Sequence, residues 1–506
     1  MSADELNVVL LVTTAVLLGC VTAVRLLSGA GLPTLLVFLC VGLAIGESGL
    51  GLDFDDAALT QVLGSVALAV ILAEGGFSTD LRVVRPVGWL AGVLATVGVF
   101  VSVGVTSGLV YVLLDVDVRT AVLLGAVVSS TDAAAVFSVL RRLPVKGRLR
   151  AVVEAESGFN DPPVIILVTV VTSSAWSEAG VVGVGAMIAY QLVVGAVLGA
   201  AVALAGQWLL SRSALPAAGL YPLATVALTF LAFAVAGVAG ASPFLAIYVA
   251  GLTLGNARLP HQGTTTGFVE SLAWLAQIGL FVLLGLLASP ARLPDALPTA
   301  LVVGAVLTFV ARPLSVLVCA TPFRVPWREQ AFISWAGLRG AVPIVLATIP
   351  AAVGLQGAER VFDVVFVLVV VFTLVQGPTL PWAARRLGVT EPVAPRDVSI
   401  DSAPLDDLHA TLVQFSVGPG SQLAGVEVAE LRLPAGAVLS LVMRGGEVFV
   451  PGPDTTLRAG DHALVATSRE ARGAVEERLR AVSRSGRLAG WYDDVRASRA
   501  TTPVGR

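Results

Sequence analysis

Residues 125–140 read GAVVSSTDAAAVFSVL and residues 156–171 read ESGFNDPPVIILVTVV, so Asp132 and Asp161 each stand inside an apolar stretch of membrane length. A carboxylate surrounded by hydrocarbon is costly, and acids that persist there face a protein cavity where they hold an ion or relay a proton. Neither acid is isolated. Ser129, Ser130 and Thr131 precede the first, and Glu156, Ser157 and Asn160 precede the second. Read as helix, Ser157 and Asp161 share one face, and Glu156 and Asn160 share an adjacent one. Pro162 and Pro163 each remove an amide donor, which leaves the carbonyls of Gly158 and Phe159 free for water or an ion. An unwound backbone at Thr131 would add carbonyl ligands and place Asp132 beside helix-end amides that favour its charge. The pattern predicts a cation site.

The rest of the chain fits a lipid setting. Of its 506 residues only 13% are charged, against roughly 25% in soluble domains, and the mean hydropathy is +0.88. A window of about 20 residues gives about thirteen spans, near 7–27, 32–48, 59–78, 86–114, 119–140, 152–174, 180–210, 219–238, 243–256, 268–288, 297–320, 329–351 and 360–385. The start, MSADELN, is acidic and no small-residue cleavage site follows the first apolar run, so that span is expected to stay as an anchor. Cys20, Cys40 and Cys319 all fall in apolar spans and read as small hydrophobes, without a disulfide framework. Basic residues follow the odd-numbered spans: Arg82 and Arg85, then Arg141 to Arg150, Arg258, Arg324 and Arg328, and finally Arg385 and Arg386. Because such residues collect in cytoplasmic loops, the N-terminus is expected outside and the C-terminus in the cytoplasm.

With span seven set aside as a connector, the chain divides into two sets of six spans. Span five is interrupted at Ser129–Asp132. Span twelve is interrupted at Gly337-Leu338-Arg339-Gly340-Ala341-Val342-Pro343, where Pro343 deprives the carbonyl of Arg339 of its helical donor. Matched interruptions in two halves point to an inverted-repeat transporter with its site at the midplane. The expected fold is an all-α polytopic membrane domain over residues 1–388, in two inverted six-helix repeats with broken helices, followed by a small α+β domain. Burial favours the protonated form of a carboxyl and a bound cation favours the ionised form, so one such group makes proton and cation compete. If access alternates between the two sides, that competition couples opposed flows of the two ions.

On VVSSTDAAAVFSVLR at 127–141, ESGFNDPP at 156–163 and GLRGAVPIVLA at 337–347, the chain resembles the cation:proton antiporters of the NhaP-type branch over roughly residues 7–388. The resemblance implies that Asp161 binds both cation and proton, that Ser157 and the Thr131 backbone ligate a monovalent cation with it, and that Asp132 stands close by. It implies that Asn160, where electrogenic relatives carry a second acid, goes with electroneutral exchange. It also implies that Glu156 pairs with Arg339 and that Glu74 lies near the ion path. From the residues alone, Arg339 fits a salt bridge with Glu156 or Glu74 or a part in gating. Arg312, in LTFVARPLSVLV, has no assigned role.

Beyond residue 388 the character changes. A Pro-rich, charged linker is expected over 389–408, a small α+β domain over 409–484 and a disordered polar tail over 485–506. Strands are expected at 410–416, 437–443 and 462–467, and helices at 421–430 and 469–482. The order of elements, with LRAGD at 457–461, resembles the TrkA-C (RCK-C) regulatory domain. That resemblance favours K+ over Na+ as the cation and implies dimerisation and a small regulator such as a cyclic dinucleotide. No GxGxxG precedes a helix there, so no full dinucleotide-binding domain is expected.

The expected protein is a bacterial plasma-membrane exchanger of K+ or Na+ for H+. It is not an enzyme, has no cofactor, binds no nucleic acid, and forms a two-fold homodimer. An RCK-regulated cation channel would need a filter such as TVGYG; the nearest string, Thr264 to Phe268, lies in a polar loop. An intramembrane aspartyl protease would need a Gly-containing motif that neither Asp132 nor Asp161 has.

Overall fold

Each apolar run up to residue 390 forms a helix, and the helices follow in sequence order: α1 (Ala3–Leu27), α2 (Thr34–Ile45), α3 (Ala57–Ser78), α4 (Gly88–Leu114), α5 (Val118–Ser129), α6 (Gly147–Phe159), α7 (Asp161–Thr172), α8 (Gly180–Arg212), α9 (Leu220–Val238), α10 (Pro243–Gly255), α11 (Gln262–Leu287), α12 (Leu293–Ala320), α13 (Trp327–Trp335), α14 (Ala341–Ala352) and α15 (Ala358–Leu387). The computed structural model describes residues 3–27, 34–46, 51, 56–132, 136, 140, 143, 145–173, 176, 180–213, 215–257, 259–390, 399–405, 410–418, 420–468 and 470–489. It divides into two units, Met1–Thr390 and Glu391–Arg506. Among the described residues, 7 helices are long and apolar enough to cross a membrane, and α5 and α14 are shorter apolar halves of interrupted spans. Arg141, Arg142 and Arg258, used above to orient the chain, lie outside the described residues, as does most of the expected tail.

Helix is the form that satisfies every backbone group within one segment, which hydrocarbon demands. The ends are set by side chains. Asp56 caps α3 by accepting from the Leu59 amide at 2.8 Å, and Asp117 caps α5 through the Thr120 amide at 3.0 Å. Between helices, lipid offers no hydrophobic drive, so close packing of small residues has to hold them together. Gly251 and Gly255 of α10 do this against α3: a Cβ on either would collide with the carbonyl of Ala73 or of Phe77.

The fourth span of each half carries the same irregularity. α4 widens into a π-turn at Leu94–Gly98, and α12 does so at Leu307–Ala311. The two helices pack together, with a Cβ on Gly98 falling 3.2 Å from the hydroxyl of Ser315. Such turns re-aim the side chains that follow, and the residue that follows the second is Arg312.

The second unit is a sheet of five strands, β1 (Ser399–Leu405), β2 (Ala410–Ser416), β3 (Val438–Arg444), β4 (Glu447–Phe449) and β5 (His462–Ser468), in the order β1-β2-β5-β3-β4 with every pair antiparallel. One helix, α16 (Arg472–Ser485), buries Val475, Leu479 and Val482 in the same core as Val413, Phe415 and Val465 of the sheet. Two expectations need correction. Residues 399–405, read as linker, form edge strand β1, where Pro404 is tolerated because an edge leaves some amides unpaired. The helix expected at 421–430 is a run of turns closed by a single 3-10 turn at Val428–Leu431. Gly425 stands at φ 92°, a left-handed conformation that interrupts helix.

The LRAGD turn is held by an ion pair. Arg444 of β3 donates to both carboxylate oxygens of Asp461, at 2.9 and 2.7 Å, and the Arg458 amide adds a third bond at 2.8 Å. Burial works against the charge on Asp461, yet the Arg444 guanidinium and the Arg458 amide outweigh it and hold the carboxyl below its ordinary value. A carboxyl held low stabilises the fold above its unfolded pKa and loses that contribution as pH falls through the folded one. We expect Asp461→Asn to lower the unfolding temperature of this module at neutral pH. The gap from wild type should close as pH drops below about 4, and differential scanning calorimetry across pH would show it; a pH-independent gap would count against the ion pair.

Candidate ion-binding site

The interrupted spans meet each other. α5 stops at Ser129, α13 stops at Trp335, and helix resumes at Val136 in the first and at Ala341 in the second. Asp132 ties the two breaks together: its amide donates to the carbonyl of Leu338 at 2.9 Å, and its carboxylate accepts from the Ala341 amide at 2.8 Å. Ala341 is the first residue of α14, so the charge sits at the positive end of that helix. The Asp132 carbonyl accepts from the Val136 amide at 3.1 Å. This contact requires glycine at 340, where a Cβ would overlap the Asp132 carboxylate. The carbonyl of Arg339, in the non-helical break before α14, is taken up by the hydroxyl of Thr373 on α15 at 2.7 Å.

α6 and α7 form the facing wall. They join at Asn160, whose amide still bonds the Glu156 carbonyl at 3.0 Å, while the next link, from the Val164 amide to Asn160, stretches to 3.4 Å. Ser130 donates to Asp161. Thr131 donates to the hydroxyl of Ser157 at 3.0 Å and accepts from the amide group of Asn160. All of these side chains are buried. Ser157 and Asn160 thus share Thr131, and Asp161 belongs to Ser130, a division that helical spacing alone did not resolve.

Asp132 and Asp161 line a cavity of about 30 Å³ with Gly158, Tyr248 and Gln277, room for roughly one or two water-sized particles. The Tyr248 ring stands edge-on to Phe159 with centroids 5.7 Å apart. Gly75 borders the same cavity, and the half-buried Glu74 is its neighbour on α3. The hydrogen-bond partner of Asp161 is the Ser130 hydroxyl; among the described residues no Lys or Arg bonds to it.

The pairing of Glu156 with Arg339 is overturned. Glu156 is fully buried and is gripped by both terminal nitrogens of Arg312, at 2.5 and 2.7 Å. Arg339 is also buried, and its Nε and Nη1 have no hydrogen-bond partner among the described residues. Arg312 wins because the π-turn before it aims its planar fork at a carboxylate in bidentate geometry, whereas Arg339 sits in the non-helical break. One signal was available in sequence: a lone arginine in LTFVARPLSVLV must find an acid if it stays in the membrane. Its partner, 156 residues away in the chain, could not be read from spacing.

The membrane unit matches the family described as sodium/hydrogen exchanger, transmembrane, over residues 12–386, and residues 412–480 match the TrkA-C domain. The chain belongs to this exchanger family. It is a transporter, a monovalent cation/proton antiporter, and not an enzyme. It is 35% identical over 472 residues, covering 91% of this chain and 81% of the relative, to the K(+)/H(+) antiporter NhaP of Alkalimonas amylolytica. Over 470 residues and the same shares it is 34% identical to the K(+)/H(+) antiporter NhaP2 of Shewanella oneidensis. The sodium proton antiporter MjNhaP1 from Methanocaldococcus jannaschii, solved at pH 8, has the same fold, with a TM-score of 0.68 at 20% identity over 76% of this chain and all of that one.

Removing one partner of a buried ion pair costs about 3 to 5 kcal/mol. Arg312→Met and Glu156→Gln should each lower thermal stability by that order, and the double variant should recover part of the loss. Combined with Arg339→Met, Glu156→Gln should give simple addition. The three variants and two pairs, melted in detergent as double-mutant cycles, separate Arg312 from Arg339 as the partner.

Proposed function

We propose that this antiporter exchanges one K+ for one H+ at Asp161. The supporting observation is the sorting of buried charge around the crossing. Glu156 is paired with Arg312, and Asp132 is bonded by the Ala341 amide at the start of α14. Asp161 lines the cavity and is bonded to a neutral hydroxyl, with no basic partner among the described residues. Its charge is therefore the one that a transported ion has to neutralise. A proton or a monovalent cation does so equally, and both at once would leave an uncompensated positive charge in a low-dielectric site.

On this reading the carboxylate of Asp161, the hydroxyl of Ser157 and the backbone of Thr131 take the cation. Thr131 and Ser157, bonded to each other in this structure, would turn their oxygens toward it. Asn160 holds Thr131 in place without bringing a charge, and exchange is electroneutral. Asp132 acts as the fastener of the two breaks, with its charge spent on the α14 amide, and does not turn over a proton. The preference for K+ rests on the names of the relatives and on the TrkA-C domain; the sodium-exchanging alternative draws on the family description and on a Na(+)/H(+) antiporter NhaS2 of Synechocystis, 27% identical over 381 residues. The loop charges support an outside N-terminus and a cytoplasmic C-terminus. We further propose a homodimer in the plasma membrane, with a small regulator bound at the C-terminal domain.

In proteoliposomes with an internal pH dye, Asp161→Asn should abolish cation-driven proton movement while the protein keeps its fold. Residual exchange with ordinary cation affinity would remove Asp161 from the centre of the mechanism. An imposed membrane potential should leave rate and direction unchanged, and a voltage-dependent reversal would mean that a second acid titrates. Half-saturation should come at lower K+ than Na+; the reverse order would favour the sodium reading.

A further inference from the structure

The C-terminus of the membrane unit is fastened to the helix that carries the ion site. α15 ends at Leu387, and Val389 and Thr390 then run antiparallel to Val145 and Lys146: Val145 and Thr390 form a β-bridge, and the Lys146 amide donates to the Val389 carbonyl at 3.2 Å. Lys146 is the residue from which α6 springs. Its side chain reaches a third element, pairing with Glu329 in the first turn of α13 at 2.9 Å. One residue thus ties together the start of α6, the start of broken span twelve and the last residues before the linker.

Both tied helices end at the crossing. Ser157 and Asn160 stand near the far end of α6, and Ser157 is roughly 16 Å from Lys146 at 1.5 Å rise per residue. α13 runs from Glu329 into the break that Asp132 fastens. Helices are stiff along their axes, so a shift at Lys146 arrives at the ligands of the site. The fastening is local: one bridge with its backbone hydrogen bond, an ion pair whose lysine is 44% exposed, and two valines, Val145 and Val389, buried in the helical core. Thr390 ends the membrane unit, so any force that the regulatory domain applies through the chain reaches this point first.

We infer that Val145–Lys146 and Val389–Thr390 form a clasp through which the C-terminal domain sets the cation affinity of the ion site, with Lys146 and Glu329 as positioning residues. Closed, the clasp holds α6 and α13 as seen here. A pull along the linker opens it and releases both. The inference rests on the assignment of the ion site to Asp161 and its neighbours, and it adds the route by which that site is regulated.

The test uses the full chain in vesicles. Paired residues of an antiparallel bridge lie within the Cα separation that a disulfide spans, so the variant Val145→Cys with Thr390→Cys can be locked by oxidation and released by dithiothreitol. The expected result is a change of about fivefold in half-saturating K+ between locked and released forms, with the maximal rate kept within about twofold. A flexible Gly/Ser insertion of about ten residues after Pro395 transmits no pull and should give the locked value. Lys146→Gln and Glu329→Gln should shift half-saturation the opposite way, and the charge swap Lys146→Glu with Glu329→Lys should restore it. Unchanged half-saturation on complete cross-linking, or with the slack linker, overturns the inference and leaves a static brace. Asp161→Asn, assayed in the same vesicles, reports on the ion-site assignment separately.

Discussion

The membrane unit depends on one carboxylate, Asp132, joining two places where helix fails. A break in a membrane helix leaves amides and carbonyls without partners, and hydrocarbon supplies none. Here each break satisfies the other: the Asp132 amide takes the Leu338 carbonyl, and the Asp132 side chain takes the Ala341 amide. Two interruptions, each costly alone, become a joint. The joint accounts for the glycine at 340 and for Thr373, which collects the carbonyl of Arg339 in the break. It also puts Ser130 in extended backbone and Thr131 outside helix, opposite the residues they bond on α6 and α7.

Around that joint the buried charges are arranged by geometry more than by proximity in sequence. Glu156 and Asp161 lie five residues apart at the end of α6 and the start of α7, yet one is locked by a bidentate arginine and the other meets a hydroxyl. The difference follows from helix phase. Glu156 points toward α12, where the π-turn aims Arg312 at it, and Asp161 points into the cavity beside Asp132. The first carboxylate is held in a guanidinium fork, and the second meets a neutral hydroxyl and borders a cavity.

Much of this was legible in the residues. Asp132, Asp161, Ser157, Thr131 and Asn160 were all picked out by being polar in the wrong medium, and the interruptions at 129–132 and 337–343 by their glycines and proline. The soluble module was less legible. β2, β3 and β5 follow from alternation, but β1 hides in a Pro-containing stretch, because an edge strand needs little intrinsic preference once β2 offers it a partner. A single left-handed glycine at 425 was enough to turn an apparent helix into turns.

The sequence by itself determined that the chain lives in lipid, where its helices break and which carboxylates stand within apolar spans. Those are local properties, fixed by the cost of placing a polar group or an unpaired amide in hydrocarbon. Only the tertiary structure decided the partners: Arg312 for Glu156, Thr131 for both Ser157 and Asn160, and Val389–Thr390 for Val145–Lys146. Each of these bonds joins segments whose distance along the chain says nothing about their distance in space. In every case the choice was made by helix phase and close packing, which exist only after the helices have assembled.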